Sequence, residues 1–277
     1  MPRTLTKNRS RENWRRNARS VAGALLLVVG LLGGGYALLL VQDATRNARI
    51  FHLEEISFSG LRHIQVPELE GLILRNFSGN VLSLDLERVR QLVESEPWVS
   101  ETIVRRRLPN RLEFYIRERE VVAVAKIGRN LRVVDREGVL LETFGSGFSE
   151  EVSRPIVKGL TSVAIGEPDG SNEDRMRLYL RVLEALAAGE KDYSTTLSEV
   201  DVSKLGRIRV VPTDDPFPVD LGDRDFLRRY EMFLARLDLI QQVREQHGGV
   251  EWVDMSFENR IIVHTPSGGE TAESTSN

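Results

Sequence analysis

Residues 60–119 read GLRHIQVPELEGLILRNFSGNVLSLDLERVRQLVESEPWVSETIVRRRLPNRLEFYIRER. The end of this stretch is the clearest. Leu112, Phe114 and Ile116 alternate with Glu113, Tyr115 and Arg117, which predicts a strand with one buried face. Pro109-Asn110 is a turn signal, and Thr102 to Leu108 supplies a strand before it. Further back, Asp85 is placed to cap a helix with Leu86, Val89, Leu92 and Val93 inward, and Pro97 stops that helix. Val66-Pro67-Glu68 opens another, with Leu69, Leu72, Ile73 and Phe77 on one face and a break at Gly79-Asn80. Before Gly60, the run Phe51 to Ser59 holds Leu53, Ile56 and Phe58 and reads as a first strand. The order β-α-α-β-β, over roughly 70 residues, can close a small sheet with two helices on one face.

Downstream, Val121 to Ile127, Leu131 to Val134 and Val139 to Glu142 read as strands, with the hairpin turn at Asp135-Arg136-Glu137-Gly138. Ile156 to Leu160 is a further short strand. Glu173 to Ala188 carries Met176, Leu180, Leu183 and Ala187 on one helical face. Strands follow at Leu197 to Val202, Arg207 to Val211 and Val219 to Leu221. Gly222-Asp223 opens a second helix with the stripe Phe226, Tyr230, Phe233, Leu237 and Ile240. A hairpin, Glu251 to Phe257 and Arg260 to His264, closes the ordered part. Pro266 to Asn277 is rich in Ser, Thr, Gly and Glu and is expected to be disordered.

Upstream lies a different kind of segment. Val21 to Val41 contains no charged residue. At about 1.5 Å per residue it is long enough to span a bilayer core of roughly 30 Å. Arg3, Lys7, Arg9, Arg11, Arg15, Arg16 and Arg19 precede it, opposed only by Glu12. These charges give the tail +6; the whole chain is −3, so the remainder carries −9. Positive residues stay inside, so the N-terminus is expected in the cytoplasm and the bulk of the chain across the membrane. The basic tail is read as a topology signal rather than a nucleic-acid site. The chain has no cysteine, so no disulfide supports the exported part.

The stretch quoted above resembles the POTRA domain of the FtsQ/DivIB bacterial cell-division proteins. The similarity is carried by Gly60, Gly79-Asn80-Val81-Leu82, Pro97-Trp98-Val99, Arg105, Pro109, Leu112 and Ile116, and Glu118-Arg119. Val134-Asp135 with Gly138, Arg154 to Gly159, Val219-Asp220-Leu221-Gly222 and Val253-Asp254-Met255 resemble the family's second domain. Val121 departs where the family often has Pro, and Thr102 where Ala is common. The resemblance implies an α+β fold: basic tail 1–20, transmembrane helix 21–41, linker 42–50, POTRA domain 51–120, a mixed β domain with two helices over 121–265, and a tail 266–277. It also implies an inner-membrane protein of the division septum.

No catalytic constellation is visible. His52, His63, His247 and His264 fit no metal spacing and are read as surface residues. Asp214-Asp215 is read as a loop and Asp223-Arg224-Asp225 as a helix cap. Arg105-Arg106-Arg107 is read as a solvated strand edge. Function is therefore expected in surfaces, without cofactor, metal, nucleic acid or small-molecule substrate. A sheet edge offers unpaired N–H and C=O groups to a partner's strand, and Arg260 to His264 is the expected edge. The resemblance implies that this hairpin binds FtsB and FtsL, the matching positions being Phe257, Asn259, Arg260, Ile261 and Ile262. It implies recruitment by an upstream protein such as FtsK around Phe58, Gly60 and Val104. The competing reading is a POTRA chaperone of outer-membrane protein assembly or secretion, which would be followed by a transmembrane barrel.

Overall fold

The computed structural model describes residues 27, 29–38, 48–145, 152–258, 260–266 and 270–274. Of the expected span Val21–Val41, residues 21–26, 28 and 39–41 lie outside the described residues. Its described part, 29–38, is helical and exposed, and no described helix is long and apolar enough to cross a membrane.

A three-stranded sheet of order β1-β3-β2 is built from β1 (Glu55–Ser59), β2 (Val99–Arg107) and β3 (Arg111–Glu118). Helices α1 (Val66–Asn76) and α2 (Leu86–Glu94) lie between β1 and β2 in the chain. β1 runs parallel to β3, with Phe58 opposite Phe114 and their rings stacked at 5.1 Å. The alternation of β3 holds: Leu112, Phe114 and Ile116 are buried. Burial of such a side chain contributes about 1.5–3 kcal/mol. On the helices, Leu69, Ile73, Val89 and Val93 are buried, while Leu72 and Phe77 are half-buried. Asp85 caps α2 as its position suggests, its Oδ1 accepting the Glu87 N–H at 3.0 Å. β1 is shorter than the alternation implied, because Arg49–Phe51 forms a 3₁₀ turn instead.

The second sheet has ten strands, in the order β13-β12-β11-β10-β9-β8-β7-β4-β5-β6. β4 (Val121–Ile127), β5 (Asn130–Asp135) and β6 (Leu140–Thr143) form a meander. β7 (Ile156–Lys158) pairs parallel to β8 (Leu197–Asp201), and parallel neighbours require a crossover. Helix α3 (Gly170–Ala187) supplies it, capped by Asp169, which accepts the Asn172 N–H. β9 (Ile208–Pro212) and β10 (Val219–Gly222) follow antiparallel. β10 is parallel to β11 (Trp252–Asp254), again across a helical connection.

That connection differs from the sequence reading. The stripe Phe226 to Ile240 predicts one helix, but two are present, α4 (Phe226–Leu234) and α5 (Leu237–His247). The ladder tightens at the junction, where the Arg236 N–H reaches back three residues to the Phe233 carbonyl. A two-residue break, at Ala235 and Arg236, leaves the apolar period nearly unchanged, so periodicity alone does not reveal it. The stripe itself is sound: Phe226, Tyr230, Phe233 and Ile240 are buried. Asp225 precedes α4 in the left-handed region, and its side chain makes no cap bond.

The largest correction concerns the end of the chain. β12 (Arg260–His264) is where the sequence placed it, but the expected disordered tail contains β13 (Glu270–Ser274), paired antiparallel to β12 over five positions. The outermost strand is β13, not β12.

The described residues fall into two compact units. One comprises those in Met1–Ser59, Val66–Arg90 and Ile103–Tyr115; the other those in Gly60–Gln65, Gln91–Thr102 and Ile116–Asn277. The boundary does not follow the two sheets. Within the second unit, Glu94 accepts the Thr102 N–H at 3.0 Å, yet the buried Thr102 hydroxyl has no hydrogen-bond partner. An unsatisfied buried hydroxyl costs about 1–3 kcal/mol. Thr102→Val keeps the shape and removes the hydroxyl. It is expected to stabilise the protein by about 1 kcal/mol in denaturant-midpoint measurements, and a loss would show that the hydroxyl is satisfied in solution.

Candidate partner-binding edge

The end of the ten-stranded sheet is organised by Val-Asp pairs. Val134-Asp135, Val200-Asp201 and Val253-Asp254 each finish a strand, Val219-Asp220 opens β10, and all four valines are fully buried. In each, the aspartate Oδ1 accepts the N–H two residues on: Glu137 at 2.9 Å, Ser203 at 2.9 Å, Gly222 at 3.0 Å and Ser256 at 2.9 Å. At Asp135, Asp201 and Asp254 this local bond turns the chain out of the sheet, and at Asp220 it spans the register shift in the pairing of β10 with β9. Gly222 also leaves at φ +68°, and a Cβ there would meet the Arg229 guanidinium at 2.2 Å. Arg229 is buried and donates to the Leu221 carbonyl at 2.6 Å.

Two of these pairs meet. The register of β10 and β11 sets Val219 beside Val253 and Asp220 beside Asp254. Both carboxylates are buried. Arg207 bridges them, donating from Nε to Asp220 and from Nη2 to Asp254 at 3.0 Å, and Arg209 approaches Asp220 at 3.4 Å. The bond to Asp220 is the main reason that the Arg207 guanidinium holds its proton more tightly than usual. Both guanidinium groups also lie over Trp252, at 5.0 and 4.8 Å from the ring centre. The His264 ring stacks on Trp252 at 3.8 Å, the two planes nearly parallel. This arginine–tryptophan–histidine stack was missed in the sequence. The available signal was Arg207-Ile208-Arg209, whose alternation puts both arginines on one face of β9.

Next to this stack lies β12. Ile261 and Val263 are buried, whereas Ile262 and His264 are half-buried and Arg260 is exposed. Ile261 therefore faces the core, and Ile262 lies on the opposite face. Phe257 is 36 % exposed, with the Arg260 guanidinium 3.9 Å above its ring. Asn259 lies outside the described residues. The structure thus brings Phe257 and Arg260 together and separates Ile261 from Ile262.

The proposed recruitment residues sit elsewhere. Phe58 is half-buried on Phe114, and Val104 is half-buried on β2. Gly60 has φ +93°, and a Cβ there would lie 2.0 Å from the Ile116 carbonyl oxygen, so only glycine fits. The nearby Arg105-Arg106-Arg107 is not uniformly solvated. Arg106 donates to the carbonyls of Val81, at 2.8 Å, and Leu84. Arg105 lies over Tyr115, and Arg107 pairs with Glu113 at 3.1 Å.

Glu118 and Arg119 hold structure together. The Glu118 carboxylate accepts backbone N–H groups of Arg62, His63 and Ile64 at 2.8, 2.9 and 3.1 Å, and meets His63 Nδ1 at 2.9 Å. Burial raises its pKa, but these bonds outweigh burial and hold it below the ordinary value. His63 also stacks on Trp98 at 4.5 Å, so it is not the plain surface residue expected. Arg119 reaches Asp135 at 2.6 Å and Glu137 at 2.8 Å. Among the described residues, no group of three or more His, Asp or Glu is placed to hold a metal.

Two family models match the chain: the POTRA domain, FtsQ-type, over residues 51–119, and Cell division protein FtsQ/DivIB, C-terminal, over residues 123–256. The chain belongs to the FtsQ/DivIB family of cell division proteins. It is 31% identical to the cell division protein FtsQ of Myxococcus fulvus, over 88% of this chain and 85% of that protein. The FtsQ of Koribacter versatilis is 28% identical, over 94% of this chain and 74% of its own length. A solved structure of the major extracytoplasmic domain of DivIB from Geobacillus stearothermophilus matches 44% of this chain and 96% of its own, at 20% identity and a TM-score of 0.25. The FtsQ/DivIB C-terminal match ends at residue 256, so β12 and β13 lie beyond it.

Two outcomes test the geometry of the sheet end and of Glu118. Arg207→Gln is expected to cost about 2 kcal/mol, since it leaves two buried carboxylates without their shared cation. Arg207→Lys should recover only part, because an ammonium cannot fork to both. Chemical denaturation of the three chains measures this. For Glu118 the folded pKa is depressed, so its contribution is present above the unfolded carboxylate value, about 4.3, and is lost as pH falls through the folded value. The stability gap between the natural chain and Glu118→Gln should therefore narrow from pH 6 to pH 3; a constant gap would contradict the assignment.

Proposed function

We propose that the chain is a non-enzymatic scaffold of the divisome that binds FtsB and FtsL through β12. In this reading one N-terminal helix anchors it in the inner membrane with the N-terminus cytoplasmic. The domain limits are 51–120 for the POTRA domain and 121–265 for the β domain. The region of Phe58, Gly60 and Val104 receives an upstream partner such as FtsK.

The observation that carries the reading is β12. Its backbone is bonded to β11 along one side, and its other side, paired with β13, is the one an incoming strand would take over. Core-facing Ile261 and Val263 alternate with Arg260, Ile262 and His264, so an added strand meets two apolar positions on one face and an isoleucine between Arg260 and His264 on the other. Phe257 under Arg260 forms an aromatic–cation contact at the start of this edge, the residue types that concentrate binding energy in interfaces. The membrane anchor is supported by the uncharged run Val21–Val41 and the basic tail before it.

The test is capture of the host's FtsB periplasmic segment by the full chain in detergent. Phe257→Ala with Arg260→Ala leaves the buried positions untouched and is expected to weaken capture about tenfold or more. Unchanged capture rejects the β12 assignment. A fluorescent fusion in the host is expected to gather at the septum, and an even distribution round the membrane during division would reject the scaffold role.

A further inference from the structure

We propose that β13 is a displaceable cover, and that the protein's own tail holds the β12 edge closed until a partner strand replaces it. The inference rests on the reading that partners pair with β12.

The register is continuous. Arg260 lies opposite Ser274, Ile261 opposite Glu273, Ile262 opposite Ala272, Val263 opposite Thr271 and His264 opposite Glu270. Every residue of β12 therefore already has a cross-strand neighbour on the side a partner would use. An incoming strand cannot add to β12 without removing β13.

The composition of the cover makes it removable. Its sequence is ETAES, in which only threonine favours strands. The two core-facing positions of β12, Ile261 and Val263, are matched with glutamate and threonine, residue types that gain little from apolar surroundings. The backbone bonds are each worth about 0.5–1.5 kcal/mol net, and ordering each residue costs about 1–2 kcal/mol, so the strand gains little by itself. Its advantage is the tether. Only five residues, 265–269, separate β12 from β13. A link that short gives an effective concentration of order millimolar.

These facts define the displacing partner by chemistry. It is an extended segment with apolar side chains at the two alternate positions opposite Ile261 and Val263, brought close by its own membrane anchor. Apolar residue types at those positions gain more from apolar surroundings than glutamate and threonine do. The tail then acts as a threshold: it blocks weak or polar strands and protects the edge from pairing with a second copy. Apparent affinity is reduced by the fraction of time the edge is open.

The experiment uses the full chain and the FtsB periplasmic segment as the probe. Ala272→Pro with Glu273→Pro removes a ladder donor whichever phase of the strand faces β12. The expected result is binding about fivefold or more tighter than to the natural chain. Amide exchange at Arg260–His264 without partner should also become faster. A second variant closes the edge instead. The chain has no cysteine, so His264→Cys with Glu270→Cys offers one pairing. Oxidation should weaken binding, and reduction of the same sample should restore it. Equal or weaker binding by the proline variant, with the natural chain still binding, overturns the cover while leaving the β12 reading intact. Weaker binding would make β13 part of the docking surface. If neither chain binds, the FtsB reading itself fails.

Discussion

Two buried carboxylates side by side are the constraint on which the end of the larger sheet depends. The parallel pairing of β10 and β11 forces Asp220 and Asp254 into neighbouring positions. Each also accepts the backbone N–H two residues on, Asp254 at the end of β11 and Asp220 across the register shift within β10. Two like charges out of water repel, and Arg207 resolves the conflict by reaching both. The side chain that neutralises them also lies over Trp252, so the same arginine connects the sheet interior to the face beside β12.

The surface chemistry grows from that arrangement. Trp252 carries His264 of β12 on its ring, which fixes the last natural pairing of the sheet from the side-chain level as well as through the backbone. Ile261 and Val263 hold β12 to the core. β12 is therefore a firm template, and β13, built of small and polar residues, is a weak addition to it. A firm strand beside a weak one is a physical basis for exchange, because the incoming strand finds its template already formed.

The smaller sheet shows the same economy. Glu118 gathers three consecutive backbone donors, and Arg119 turns to Asp135 and Glu137. These adjacent residues were part of the family resemblance, and their work is structural. The buried Thr102 hydroxyl is left without a partner.

The amino-acid sequence by itself determined the β-α-α-β-β order, the alternation of β3, the position of β12 and the residues at strand ends. Those features are written in period and turn chemistry, which act over a few residues. It also carried the family, through short motifs spread along the chain. Only the tertiary structure decided that Asp220 meets Asp254, that Arg207 bridges them and that Trp252 stacks with His264, because those contacts join side chains on different strands, beyond the few residues over which period and turn chemistry act. The break between α4 and α5 was invisible because the apolar stripe runs across it. The tail was misread for a related reason. ETAES has too little strand preference and too little apolar surface to announce itself, and it becomes a strand only because β12, formed by the rest of the sheet, presents a row of backbone groups to it.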